Sequence, residues 1–160
     1  MAIAPNDWLT LIFRLTLALV MGGVIGWNRQ IHRKAAGLRT HMLVSLGAAL
    51  FVLIPLQIGP DLSPDALSRT IQGVATGIGF LGAGEIFYFS SRAEDRPVVK
   101  GLTSAAAIWV SAALGVVAGC GLWQMCLIGG VIILFILVGA KKLEQIVWGR
   151  AKANKSRQSG

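Results

Sequence analysis

The chain has 160 residues, 54% of them hydrophobic and 14% charged, with a formal net charge of +8. A soluble domain carries about 25% charged residues, so a water-soluble globule is excluded, and the apolar excess leaves room for several membrane spans and little else. The Lys and Arg do not gather on one aromatic-studded face, which excludes nucleic acid as the reason for the charge and points to the headgroups of a lipid bilayer as the partner.

Taken in chain order, five apolar stretches approach the length of about 20 residues that a helix needs to cross the hydrocarbon core. They are residues 8–27, 40–56, 70–89, 102–120 and 122–140. The first eight residues contain no Lys or Arg, and no small-residue cleavage site follows the first run, so span one is expected to stay as an anchor. The second span is short, with Pro55 near its end. The expected fold is an all-α polytopic membrane protein, a compact bundle of about five transmembrane helices.

Between spans one and two lies Gly26-Trp-Asn-Arg-Gln-Ile-His-Arg-Lys-Ala-Ala-Gly-Leu-Arg-Thr-His41, a basic loop carrying Arg29, Arg33, Lys34 and Arg39. Cations in short loops resist translocation and mark the cytoplasmic side. Alternating the sides from there puts the N-terminus outside and the C-terminus in the cytoplasm, and places thirteen of the fifteen Lys and Arg inside. Trp8 and Trp123 then fall at the outer interface, Trp27 and Trp148 at the inner one.

Small residues recur where helices would touch. Gly22 and Gly26, Gly73 and Gly77, and Gly115 and Gly119 are each four apart in spans one, three and four. In lipid, close backbone approach at such residues supplies the packing. The pairs suit packing within the bundle or the seam of a homo-oligomer. Ser104, Ala107, Ser111 and Gly115 share one face of span four. Span three holds Gly77, Gly79, Gly82 and Gly84 within eight residues, each costing a helix about 1 kcal/mol against alanine. That density suggests either a tight helix crossing or a broken helix lining a cavity. No Gly-Lys-Ser/Thr follows, so it is not a phosphate loop. Residues 141–160 read as a basic amphipathic stretch running into a disordered cytoplasmic tail.

Charges inside spans are candidate functional residues, because each costs a few kcal/mol there. Arg14 lies within span one, and its alternatives are snorkelling to the headgroups, pairing with Asp61 or Asp65, or binding backbone carbonyls of a broken helix. Glu85, near the inner end of span three, has Arg29, Arg39 and His41 as expected partners. Its carboxylate suits an ion or proton site as well as a structural ion pair. Arg14, Arg29, Arg39, His41 and Glu85 therefore form the candidate polar cluster, whereas His32 reads as a solvated loop residue. Cys120 and Cys126 have no His beside them and read as inert thiols; no metal ligand set and no cofactor are assigned. No catalytic motif is present, and Ser104 or Ser111 with His41 lacks an oxyanion site, so the chain is not expected to be an enzyme.

Gly22-Gly-x-x-Gly26-x-x-Arg29-Gln30, then Ala36-Gly-Leu-Arg-Thr-His-Met-Leu-Val44, Gly47-Ala-Ala49, Gly77-Ile-Gly-Phe-Leu-Gly-Ala-Gly84 and Gly101-Leu-Thr-Ser-Ala-Ala106 follow one another in order. Together they resemble the MgtC/SapB family over about residues 14 to 119. The resemblance implies a multi-pass protein of the bacterial inner membrane. It also implies association with growth in low magnesium, with survival inside host cells, and with restraint of the F-type ATP synthase and effects on membrane potential. Many members carry an acidic residue where Asn28 stands and an apolar one where Glu85 stands, which implies that the inner-end negative charge has moved to span three here. Many also append a soluble C-terminal domain, which the short tail is expected to lack. The leading reading is a regulatory protein acting through membrane protein contacts. The alternative is a small channel or transporter with a polar path along span three through Glu85, Arg39 and Arg14.

Overall fold

The computed structural model describes residues 7–58, 64–89 and 98–139, and within them the chain forms five helices and one short hairpin. Helix α1 (Trp8–Ile31) starts at Asp7, whose carboxylate accepts the Thr10 amide at 3.1 Å and the Thr10 hydroxyl at 2.5 Å, satisfying an orphan first-turn donor. Helix α2 (Leu38–Ile58) follows a tight connection. There Gln30 reaches forward, its Oε1 accepting the Leu38 amide at 3.1 Å, so the end of α1 caps the start of α2. Helix α2 continues through Pro55 to Ile58, further than the proline suggested. Helix α3 is Pro64–Gly84, α4 is Leu102–Gly119 and α5 is Trp123–Gly139.

The third span was expected to run as helix to Phe89, and the structure corrects that bound. Helix α3 ends at Gly84, where Glu85 and Ile86 donate back to the Gly82 and Ala83 carbonyls at 3.1 and 3.2 Å in a tightened last turn. Strand β1 (Phe87–Phe89) then pairs antiparallel with β2 (Val98–Lys100), with Tyr88 opposite Val99. Glycine ends the helix, and the aromatic and β-branched residues that follow favour a strand.

Helices α1, α2 and α4 are each long and apolar enough to cross a membrane, α5 is apolar but shorter, and α3 carries Asp65, Arg69 and Gln72 in its first half. With the exposed Leu9, Ile12, Leu43, Phe51, Phe80 and Phe135, this is the surface of a membrane protein, apolar on the outside as well as within. Helix α2 is the centre of the bundle and packs most extensively against α1 and α4. Its buried face is His41, Ser45, Ala48, Ala49, Val52 and Leu53, small enough to let two helices close on it.

They close through glycine. A Cβ on Gly22 would stand 2.5 Å from the His41 carbonyl oxygen, and one on Gly26 would stand 2.7 Å from the Leu38 Cα. On the other side, a Cβ on Gly115 would collide with the Ser45 carbonyl, and one on Gly119 would meet Val52 at 2.5 Å. Helix α5 closes the outer side of α1 and α4, with Cys126 fully buried among Ala18, Met21 and Leu114. The glycines of α3 behave differently. Gly73, Gly77, Gly79 and Gly84 have nothing within 4 Å of a built Cβ, and Gly82 makes only ordinary contact with Ala105 at 3.6 Å. Helix α3 is continuous from Pro64 to Gly84 and lies at the edge of the bundle, so neither the tight crossing nor the break expected of the glycine run is present.

Candidate functional site

The buried polar side chains sit on the faces of α1, α2 and α4 that meet. Arg14 is 5% exposed, and its Nη1 donates to the Gly119 carbonyl at 2.9 Å, at the C-terminal end of α4. A cation there complements the carbonyl end of the helix dipole and an acceptor with no intrahelical partner. Gly121, at φ +80, leaves room for it, because a Cβ would lie 2.8 Å from the guanidinium carbon. Of the alternatives read from sequence, Arg14 takes a backbone carbonyl, but that of an intact helix end. Asp61 lies outside the described residues, and no bond joins Arg14 to Asp65.

One turn further in, Ser45 Oγ donates to the Ala18 carbonyl at 2.7 Å, joining α2 to α1. Deeper toward the α1–α2 connection, His41 is fully buried and its Nδ1 lies 2.9 Å from Ser111 Oγ. The Ser111 hydroxyl donates to the Ala107 carbonyl at 2.9 Å, so its oxygen is left to accept, which assigns the proton on His41 to Nδ1. Arg29 is 4% exposed, and its Nη2 donates to Ser104 Oγ at 2.8 Å. Three helices thus meet in a polar layer built from Arg29, His41, Ser104 and Ser111. The periodicity of α4 had put Ser104 and Ser111 on one face, but nothing in the sequence matched each to its cation or imidazole.

Three polar atoms of this region lack a hydrogen-bond partner among the described residues: Arg29 Nε, His41 Nε2 and Glu85 Oε2. Glu85 forms no salt bridge with Arg29. Its place is fixed by backbone, because Gly101, the N-cap of α4 at φ +100, packs against the Glu85 carbonyl where any Cβ would collide. Two corrections to the expected cluster follow. Arg39 is exposed and lines a recess with Gln30, Lys34 and Thr40, away from the buried layer, because at the second position of α2 it points off the packed face. Arg14 lies fifteen residues before Arg29 on the same helix, about 22 Å away by helical rise, so it belongs to the other end of the bundle.

Elsewhere, His32 Nδ1 lies 2.7 Å from the Asn28 carbonyl at the end of α1, and Cys120 and Cys126 are free thiols. Among the described residues no group of three or more His, Cys, Asp or Glu is placed to hold a metal ion. The basic tail lies outside the described residues.

The MgtC family profile matches residues 15–146. The chain is 54% identical over 150 residues to the protein SrpB of Synechococcus elongatus, covering 91% of this chain and 82% of SrpB. It is 42% identical over 131 residues to the Escherichia coli K12 protein named "Putative magnesium transporter YhiD", covering 79% of this chain and 58% of YhiD. With the protein MgtC of Brucella abortus it shares 39% identity over 130 residues, 81% of this chain and 51% of that protein. The chain therefore spans most of SrpB but little more than half of YhiD and MgtC. No solved structure matches it. On the family profile and on these identities, the chain belongs to the MgtC family.

Proposed function

We propose that the chain is a non-enzymatic regulatory protein of the bacterial inner membrane, crossing it five times with its N-terminus outside and its tail in the cytoplasm. In this reading it acts by contact with other membrane proteins, the F-type ATP synthase first among them, under magnesium limitation. The observation that carries the reading is the use made of the buried polar groups. Arg14, Arg29, His41 and Ser45 each bond a neighbouring helix, which suits a rigid scaffold better than a moving gate. The name of the relative YhiD, which mentions magnesium, supports the magnesium setting. ATP-driven proton pumping in inverted membrane vesicles, with and without the chain, tests it. The expected outcome is slower pumping with the chain present and synthase subunits co-purifying in mild detergent; unchanged pumping with no synthase recovered rejects it.

A second reading, an ion conduit, is favoured by the unpartnered Arg29 Nε, His41 Nε2 and Glu85 Oε2 and by the name of YhiD. Purified chain in liposomes separates the two: a selective ion flux abolished by Glu85→Gln supports the conduit, and an electrically silent protein supports the regulator.

A further inference from the structure

Two recesses lie along one face of α2. The first, about 490 Å³, opens at the α1–α2 connection, and its walls include Gln30, Lys34, Arg39 and Thr40. The second, about 630 Å³, runs between α2 and α3, its walls including Leu43, Gly47 and Phe51 on one side and Gly73, Gly77 and Leu81 on the other. Thr40, Leu43, Gly47 and Phe51 follow at three- and four-residue spacing and so share a helix face. The apolar groove therefore begins about one turn beyond the polar recess.

The two ends differ in chemistry. At the polar end, the segment from Arg29 to Arg39 carries four cations and no acidic residue, and Lys34 and Arg39 are exposed. At the apolar end, Gly47, Gly73 and Gly77 have nothing within 4 Å of a built Cβ, so the groove is an open slot with a backbone floor and not a packed seam.

We propose that the two recesses form a single site for an anionic phospholipid. Its phosphodiester sits at Lys34, Arg39 and Thr40, and one acyl chain lies along α2 in the groove. The dimensions agree: Arg39 to Phe51 spans about 18 Å of helix, against about 15 Å for the hydrocarbon of one leaflet. The charge agrees too, because basic residues at the membrane surface attract anionic headgroups. A second copy of the chain in the same orientation would fill the groove but bring its own cations to the same depth.

The test uses the full chain purified in mild detergent, with native mass spectrometry scoring retained lipid. Phosphatidylglycerol, phosphatidylcholine with the same acyl chains, and glycerol phosphate as a chainless mimic are added separately. Phosphatidylglycerol is expected to be retained roughly tenfold or more over phosphatidylcholine, and the double variant Lys34→Gln/Arg39→Gln to weaken it roughly 25-fold, about fivefold per cation. Arg33→Gln, a loop cation outside the recess, should leave retention within about twofold. Gly47→Leu should lower retention of both lipids without lowering the melting temperature. Equal retention of the two lipids, an equal loss with Arg33→Gln, the full effect from glycerol phosphate alone, or a lipid-free dimer that Gly47→Leu disrupts would each overturn the proposal.

Discussion

Arg14 and Arg29 show why a charge in a lipid-length helix is not by itself a conduit. Each guanidinium donates one bond to a named acceptor of α4, the Gly119 carbonyl and the Ser104 hydroxyl. Removing a charged donor from a buried acceptor costs about 1.5–3 kcal/mol, so Arg14→Gln should lower the detergent melting temperature, and Ser104→Ala should do so with Arg29 left stranded. In a double-mutant cycle, Arg29→Gln and Ser104→Ala should couple by about 0.5–3 kcal/mol, whereas Arg39→Gln and Glu85→Gln should be additive. Coupling between Arg39 and Glu85 would show that the exposed placement of Arg39 is wrong. Asp7 offers a pH readout at the same scale. The Thr10 hydroxyl, then the Thr10 amide, hold its carboxyl below the ordinary 3.8. A carboxyl depressed on folding stabilises above its unfolded pKa, and that contribution is lost as pH falls through the folded one. Protection of the Thr10 amide from hydrogen exchange should therefore be full above about pH 4 and fall in stronger acid. Asp7→Asn, an equally good cap, should abolish that dependence.

At the scale of elements, the glycines divide by what faces them. Gly22, Gly26, Gly115 and Gly119 stand where α1 and α4 press against the α2 backbone, so even one methyl there forces the helices apart. Gly115→Ala should cost about 1–3 kcal/mol and reduce monodisperse yield. Gly77→Ala and Gly73→Ala on the open α3 should be neutral, or stabilising by up to about 1 kcal/mol through helix propensity. Equal sensitivity at Gly77 and Gly115 would place α3 inside the bundle. The sequence marked all three pairs alike, since spacing shows only that residues share a face and not whether a neighbour occupies it. Gly101 is the opposite case, a glycine whose demand (positive φ against the Glu85 carbonyl) exists only once the hairpin has brought α3 and α4 together.

For the whole molecule, the cation distribution predicts the side of each loop. With Cys120→Ala and Cys126→Ala as background, Arg33→Cys should resist a membrane-impermeant thiol reagent in intact cells and react after permeabilisation. Labelling from outside would reverse the orientation and move the anionic lipid site to the other leaflet. The spans expected at 8–27, 40–56 and 102–120 compare closely with α1, α2 and α4, and the difference at Phe87–Phe89 lies where apolarity alone cannot tell a helix from a strand.

The sequence by itself determined that this is a membrane protein, that it is built mainly of long apolar helices, and the MgtC family to which the chain belongs. All three follow from local properties: apolar length, charge placement, and short motifs whose meaning does not depend on distant residues. Only the tertiary structure decided that α2 is the centre, that Arg14 belongs to the end of α4, that His41 answers Ser111, and that the glycine run of α3 faces open space. Those are pairings between residues 27 to 105 positions apart or with no partner at all. A helix presents several equivalent small and polar faces, and which of them meets a neighbour is settled by the joint packing of all the helices.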